Sequence, residues 1–338
     1  MTAIDDSTKP SGLSRQGSKG GRRKPAPSPW RAKKIQSDKN AGGLASLNGK
    51  WGYVFTAPFF VMFLIFGLAP IVYSTVIAFY NWDPIGEIEF IGLKNFEDLL
   101  ADDRFWLALG NTMEIWVLAT FPALIGSIGL AAILRNKFLK GATAWRTILL
   151  VPNITSVIAV AIVFGQLFGR DFGMVNNVIE FFGFPRVDFI ENSFASHVAI
   201  ASMITWRWMG YNALIFLASM LAIPNELYES ASLDGANAWK QFLYVTLPGL
   251  RNTITFVLIV GTIGGLQVFA EPLTLGGGLS GGSSRQFSTL TLFLYEQAFA
   301  SYQWGYAAAV GILITFIVLI VSAINFFLTR RLADENTR

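Results

Sequence analysis

Six stretches of the chain are apolar for more than twenty residues each, near residues 55–79, 111–134, 147–168, 196–221, 253–273 and 306–328. Polar, charged or glycine-rich segments separate them. At about 1.5 Å per residue, each stretch can cross roughly 30 Å of hydrocarbon. Unpaired backbone polar groups cannot sit in lipid, so the stretches are expected to be helices. The alternating pattern of a membrane barrel is absent. The expected fold class is all-α, a polytopic membrane protein of six spans.

The connection between the fourth and fifth stretches is unusually structured. Residues 224–250 are patterned as two small helices. Asn225 is placed to cap the first, with Glu226 and Glu229 favourable in its first turn. Gly235 can take the left-handed backbone that closes such a helix, and Pro248 is expected to stop the second. The element is either an ordinary interfacial loop or a docking piece for a soluble partner. Elsewhere, Phe96, Leu99 and Leu100 recur at helical spacing among acids, and Met174, Val178, Ile179 and Phe182 repeat the pattern. Both predict amphipathic helices at the outer surface, capping the bundle or forming a rim for an external partner. Gly276, Gly277, Gly278, Gly281 and Gly282 predict a flexible outer loop before the last span.

Charge sets the expected orientation. Of 26 Lys and Arg, eleven lie in residues 1–50 against the acids Asp5, Asp6 and Asp38. The second connection adds Arg135, Lys137, Lys140 and Arg146, the fourth Lys240 and Arg251, and the tail Arg330, Arg331 and Arg338. The other connections carry mostly acids. The positive-inside rule makes the basic side cytoplasmic, with both ends and residues 224–250 on it. Ser, Gly, Pro and basic residues dominate the tail at 1–50, which is expected to be disordered. It carries no stacking aromatics or fold signature for nucleic acid, and reads as a topology signal attracted to anionic lipid headgroups. The first span is full length, so it is expected to stay as an uncleaved anchor.

Composition then narrows the chemistry. The chain is 53% hydrophobic and 14% charged, with one histidine and no cysteine. Thiol catalysis and multi-histidine metal sites are excluded. His197, at the start of the fourth span, reads as a polar anchor at the interface. No phosphate loop is present: before Gly49 and Lys50 the required first glycine is Leu44, and Trp51 replaces the hydroxyl residue. Three charges fall inside the spans, where an unpaired charge costs several kcal/mol: Glu114, Arg207 and Glu271. Asn111 precedes Glu114 by a turn. Arg207 lies among Trp206, Trp208, Tyr211 and Asn212. Gln267 precedes Glu271 by four residues, which on a continuous helix puts both on one face. These groups are either interhelical salt bridges or a polar pathway with aromatic walls, suited to a hydroxyl-rich solute such as a sugar.

Glu229, Ser230 and Ala231, then three residues to Gly235, then nine to Val245, Thr246, Leu247 and Pro248, form a spaced motif. It resembles the cytoplasmic EAA loop of ABC-importer permeases, with Ser230 for the usual alanine and Val245 for the usual isoleucine. Within that group the chain resembles the maltose-type carbohydrate-uptake permeases. The further matches are at 206–211, 223–228, 233–236 and 305–309, and the resemblance covers roughly residues 50–332. It implies an ABC type I importer permease fold at 51–332, with a short cytoplasmic tail at 333–338. It also implies a coupling role toward a separate ATPase for Glu229, Ser230, Ala231, Asp234, Gly235, Leu247 and Pro248. The candidate substrate-pathway residues, which rest on the cost of burying polar groups and on helical position, are Glu114, Trp206, Arg207, Tyr211, Asn212, Gln267 and Glu271. The chain would bind no cofactor and catalyse nothing itself, with ATP and Mg held by the ATPase. Its implied partners are a second homologous permease in a heterodimer, two ATPase subunits on the cytoplasmic side and an extracytoplasmic sugar-binding protein, in a bacterial cell membrane. Residues 269–273 look most like permeases for cellobiose and related oligosaccharides. A permease for glycerol phosphate or polyamines, a secondary transporter run by an ion gradient, and a membrane scaffold or sensor remain as alternatives.

Overall fold

The computed structural model describes residues 52–83, 86, 88–136 and 139–334. The expectations for the tail at 1–50, for Lys137 and for residues 335–338 lie outside them. Contacts divide the chain into two units, meeting at Ala69 and Pro70. The described part of the first unit belongs to helix α1, Gly52–Ile77, which contains a five-residue π-turn at Leu64–Leu68. Its apolar residues, Phe55, Phe59 and Phe66 among them, are exposed. That is expected of a helix whose solvent is hydrocarbon.

The second unit starts within α1, at Pro70, and continues with a two-stranded antiparallel ribbon, β1 Tyr80–Asn81 and β2 Glu89–Phe90, pairing Tyr80 with Phe90. Helix α2, Lys94–Ala101, follows; it buries Leu99 and leaves Leu100 exposed, as amphipathic spacing requires. Asp102 then caps α3, Asp103–Arg135, by accepting the Arg104 N–H at 2.9 Å. A short polar cap followed by 33 helical residues makes α3 the longest rod in the described structure, about 50 Å at 1.5 Å per residue.

The third stretch is not one straight span. It is split into α4, Ala142–Ile154, and α5, Val157–Leu167, bent by 93°. Thr155 and Ser156 adopt extended backbone between them, ending one hydrogen-bond ladder before the next begins. Helix α6, Met174–Phe181, carries the second expected amphipathic pattern, with Met174 and Val178 exposed and Ile179 packed inward. Asp188 then turns the chain toward the next helix: the N–H groups of Glu191 and Ile190 donate to its carboxylate and hold it below the usual carboxylate range.

Helix α7, Ser193–Leu221, is capped by Asn192 and packs along α3. The two approach closely at small residues: the Ser127 hydroxyl donates to the Met209 carbonyl at 2.8 Å, the Thr205 hydroxyl to the Ala119 carbonyl at 3.1 Å, and buried Ala131 packs with Phe216 and Met220. Small residues let backbones meet without a hydrophobic drive from water. Gly210 does the same toward α4, since a Cβ there would strike the Leu149 carbonyl oxygen, a backbone atom that cannot rotate away. Gly210→Ala is therefore expected to separate α7 from α4 and destabilise by about 1–3 kcal/mol; an unchanged thermal midpoint in detergent would contradict this packing.

Beyond α7 come α8, Asn225–Leu233, α9, Ala238–Gly249, and α10, Arg251–Gly265, the last two bent by 64°. A short turn α11, Ala270–Pro272, leads to the glycine-rich loop, then α12, Leu290–Tyr295, and α13, Trp304–Asp334. One core cluster joins α2, α3, α12 and α13 through Leu99, Phe105, Leu290, Phe293 and Val310. Another joins the Arg135 end of α3 to α7 and α10 through Ala131, Phe216, Met220 and Val257. Among the described residues α1, α3 and α13 are single helices long and apolar enough to cross a membrane, and the pairs α4/α5 and α9/α10 pass the same test as bent units. Helix α7 is long enough at 29 residues, about 43 Å, but its polar positions dilute its apolarity.

Candidate functional site

The 224–250 element is built at the end of the bundle where α3 finishes on Arg135. Pro224, with φ −56° and ψ 135°, occupies the cap position of α8, so Asn225 is the first helical residue and not the cap expected of it. The fixed proline φ starts the helix without a side-chain acceptor. Glu226 lies in the first turn. At the other end Gly235 has φ +78°, the left-handed conformation anticipated from its side-chain freedom. The Ala236 N–H donates to the Ala231 carbonyl at 2.9 Å and the Gly235 N–H to Ser232 at 3.1 Å, a complete Schellman closure. The Gln241 amide donates to Ser232 Oγ at 2.8 Å and to the Ala236 carbonyl at 3.1 Å, fixing α9 against α8. Asn237 caps α9 by accepting the Lys240 N–H.

The second helix ends at Gly249, one residue past Pro248, as expected of that proline. A π-turn at Phe242–Thr246 precedes the proline. The wider π-turn absorbs the donor and the space that a proline removes from an α-helix. Glu229, Ser230, Asp234, Gly235 and Pro248 are exposed; Ala231 and Leu247 are half-buried. Leu233 is 90% exposed among the described residues, and Trp239, stacked on Phe242 by one face, is 66% exposed.

The charges within the bundle form two pairs. Arg207 Nη1 on α7 donates to Glu271 Oε1 on α11 at 2.7 Å, both side chains about nine-tenths buried. Glu114 Oε2 on α3 lies 2.9 Å from His197 Nδ1, and His197 Nε2 lies 2.8 Å from the Gln286 carbonyl. His197 is 1% exposed, so it is a buried link between α3, α7 and the glycine-rich loop and not an interfacial anchor. Ten residues of α7 separate His197 from Arg207, about 15 Å along the axis, so the pairs occupy different layers.

The expectation that Gln267 and Glu271 share a helical face fails. Helix α10 ends at Gly265, Gln267 lies in the turn beyond it, and Glu271 belongs to α11. Two successive glycines, Gly264 and Gly265, weaken the helix where it breaks. Trp206 packs on Phe164 at 5.8 Å between ring centroids and Tyr211 on Trp208 at 5.9 Å. Asn212 is half-buried beside them on α7. Thus Arg207 and Glu271 meet, Glu114 pairs elsewhere, and Gln267 joins neither.

The glycine-rich loop is also different from its expectation. Asn111 donates its amide to the carbonyls of Arg285 (2.9 Å) and Ser288 (3.0 Å), and Gln286 donates to the Ile190 carbonyl at 2.8 Å. Arg285 pairs with Glu296 at 2.8 Å. Gln286, Ser288 and Thr289 are buried, so the loop is pinned to the bundle. Between it and the last span lies α12, continued by a π-turn at Glu296–Ala300, which sequence reasoning missed. The signal for it was present in Thr289, whose hydroxyl accepts the Leu292 N–H as a helix cap, followed by an apolar run. Trp116 was missed as well: its indole N–H is buried with no partner, as is Arg207 Nε. No cluster of His, Cys, Asp and Glu that could hold a metal occurs among the described residues.

A mainly helical bundle with helices of membrane-spanning length, buried ion pairs and a structured element at the Arg135 end of α3 is the architecture of a membrane protein. The chain belongs to the family of binding-protein-dependent transport system inner membrane components, which it matches over residues 123–334. It is 37% identical over 289 residues to the arabinooligosaccharides transport system permease protein AraP of Bacillus subtilis, covering 84% of this chain and 90% of that one. It is 33% identical to the lactose transport system permease protein LacF of Rhizobium radiobacter, covering 82% and 94%. Its fold is similar to that of a chain in the crystal structure of a bacterial alginate ABC transporter in complex with an alginate pentasaccharide-bound periplasmic protein, with TM-score 0.73, 24% identity, and 86% and 97% coverage.

Proposed function

We propose that this chain is a permease subunit of an ATP-driven, binding-protein-dependent importer and forms half of the translocation pathway for a di- or oligosaccharide. The observation that carries the reading is the 224–250 element. Its turns are closed by a full set of backbone and side-chain hydrogen bonds, yet it leaves Leu233 and Trp239 largely exposed. A rigid element with exposed large apolar side chains suits a soluble partner. In this reading the partner is one of two ATPase subunits, which bind ATP and Mg. The sugar class is supported by the relatives, whose names refer to arabinooligosaccharides and lactose.

Twenty of the 26 basic residues lie on the tails and connections at the element's side, which supports placing both termini in the cytoplasm. A second homologous permease completes the pathway, and an external sugar-binding protein delivers solute at the opposite face. ATP binding drives α8 of each permease together and biases the bundle between inward-open and outward-open states. Each ligand does so only by its differential affinity for the two. The pathway residues are Arg207 and Glu271, with Trp206, Tyr211 and Asn212 on the same helix and Gln267 and Glu114 flanking. Permease domain boundaries at 51 and 332 follow from the same reading.

Reconstitution with the ATPase, the second permease and the binding protein should give ATP-dependent sugar uptake. Uptake driven by an ion gradient without ATP would point to a secondary transporter instead. Glu229→Lys reverses an exposed charge on α8 and is expected to reduce ATPase co-purification by about tenfold, the scale of losing a charged contact at an interface; normal recovery of the ATPase would remove Glu229 from the interface.

A further inference from the structure

Of the nine residues of α8 only Tyr228 and Ala231 are not exposed, so the bundle holds this helix by few side chains. Tyr228 makes two contacts with different elements. The Arg135 guanidinium carbon, at the last residue of α3, lies 4.0 Å from its ring centroid. Its hydroxyl lies 2.9 Å from the hydroxyl of Thr246, which is 3% exposed and ends the π-turn of α9. The Thr246 carbonyl accepts the Leu250 N–H at 3.0 Å, at the bend into α10. A cation over a tyrosine face is attracted by the ring quadrupole, and a cation at a helix C-terminus is favoured by the macrodipole. One aromatic side chain therefore ties α8 to α3 and to the start of α10.

The far part of α3 holds the glycine-rich loop. Asn111 bonds the Arg285 and Ser288 carbonyls, and Glu114 meets His197. Asn111 and Arg135 belong to the same helix, about 36 Å apart at 1.5 Å per residue, with Pro122 between them removing one bond of its ladder. We propose that Tyr228 is a positioning residue that transmits displacement of α8 into the bundle, its ring acting on α3 through Arg135 and its hydroxyl on α10 through Thr246. This rests on the importer reading of α8. A displacement of α8 is delivered to two spans at once, and α3 carries it to the loop at its other end.

The test uses the full complex with ATPase, second permease and binding protein, trapped with ATP and vanadate. The chain has no cysteine, so Ser283→Cys places a single thiol on it in the exposed part of the glycine-rich loop. ATP with vanadate is expected to change the thiol's labelling rate by about tenfold, within the usual range of coupling between sites. Tyr228→Leu should abolish that change while the ATPase still co-purifies. Tyr228→Phe, which keeps the ring, should retain part of it, and Arg135→Lys should retain more than Arg135→Gln. Arg135→Gln combined with Tyr228→Leu should be no worse than Tyr228→Leu alone, because the contact is already gone.

A full nucleotide response in assembled Tyr228→Leu complexes overturns the proposal, as do additive losses in the double variant. Should Tyr228→Leu fail to assemble, Tyr228→Phe and Arg135→Gln decide: unchanged responses in both overturn it. A wild-type complex that recruits no ATPase overturns the importer reading itself, whereas recruitment with a response indifferent to Tyr228 overturns only the clasp.

Discussion

Gly235→Pro is expected to abolish uptake while the protein still reaches the membrane. Gly235 has φ +78°, and a proline ring holds φ near −65°, so the turn between α8 and α9 cannot form. The substitution also deletes the N–H that donates to Ser232. Without that closure the Gln241 bonds to Ser232 and Ala236 lose their geometry, and α8 is no longer held in one orientation. Membrane insertion depends on the apolar spans, none of which contains Gly235, so protein levels should stay near wild type. A graded series isolates the cause. Asparagine tolerates the left-handed region and should retain most uptake. Alanine pays about 1–2 kcal/mol for it and should fall between. Wild-type transport by the proline variant would sink the role of this turn, and equal loss in all three variants would show that side-chain bulk, not backbone conformation, is what the site rejects.

Removing one member of the Arg207–Glu271 pair is the second large effect. Each side chain is about nine-tenths buried, so Arg207→Ala or Glu271→Ala leaves an opposite charge uncompensated at a cost of about 3–5 kcal/mol. Both single variants should be recovered poorly and should melt early. The double variant Arg207→Met with Glu271→Leu removes both charges and fills similar volume, so its stability should return to near wild type. Transport separates the two readings of the pair. If these groups contact solute, the stable double variant imports sugar slowly while the ATPase remains bound. Normal import by the double variant would make the pair a structural brace and end the polar-pathway proposal.

Several features of this architecture were legible because they depend on local sequence. The apolar runs gave helices because lipid leaves the backbone no other way to pair its polar groups. Gly235 was legible as a left-handed closure because few residues besides glycine adopt that conformation cheaply. The amphipathic helices α2 and α6 followed from spacing alone. Pro248 marks the end of α9 to within one residue, but nothing local announced the π-turn before it. Where local rules had two solutions, they misled. A four-residue spacing implies a shared face only if the helix is unbroken, and the break after Gly265 puts Gln267 and Glu271 on different elements.

By itself, then, the sequence determined which helices are apolar enough for lipid, which connections collect the basic residues, and the spacing of the element that marks the family. Those properties are set residue by residue, through transfer free energy and backbone preference. Only the tertiary structure decided which charges meet. Arg207 finds Glu271 across 64 residues of chain, and Glu114 finds His197 across 83. Partner choice among buried charges depends on where helices break, and the break after Gly265 puts Glu271 on a turn of its own, where it meets Arg207 of α7. The same holds for the glycine-rich loop. Its composition suggested freedom, but the amide of Asn111 and the ring of His197, both on neighbouring helices, hold its carbonyls in place.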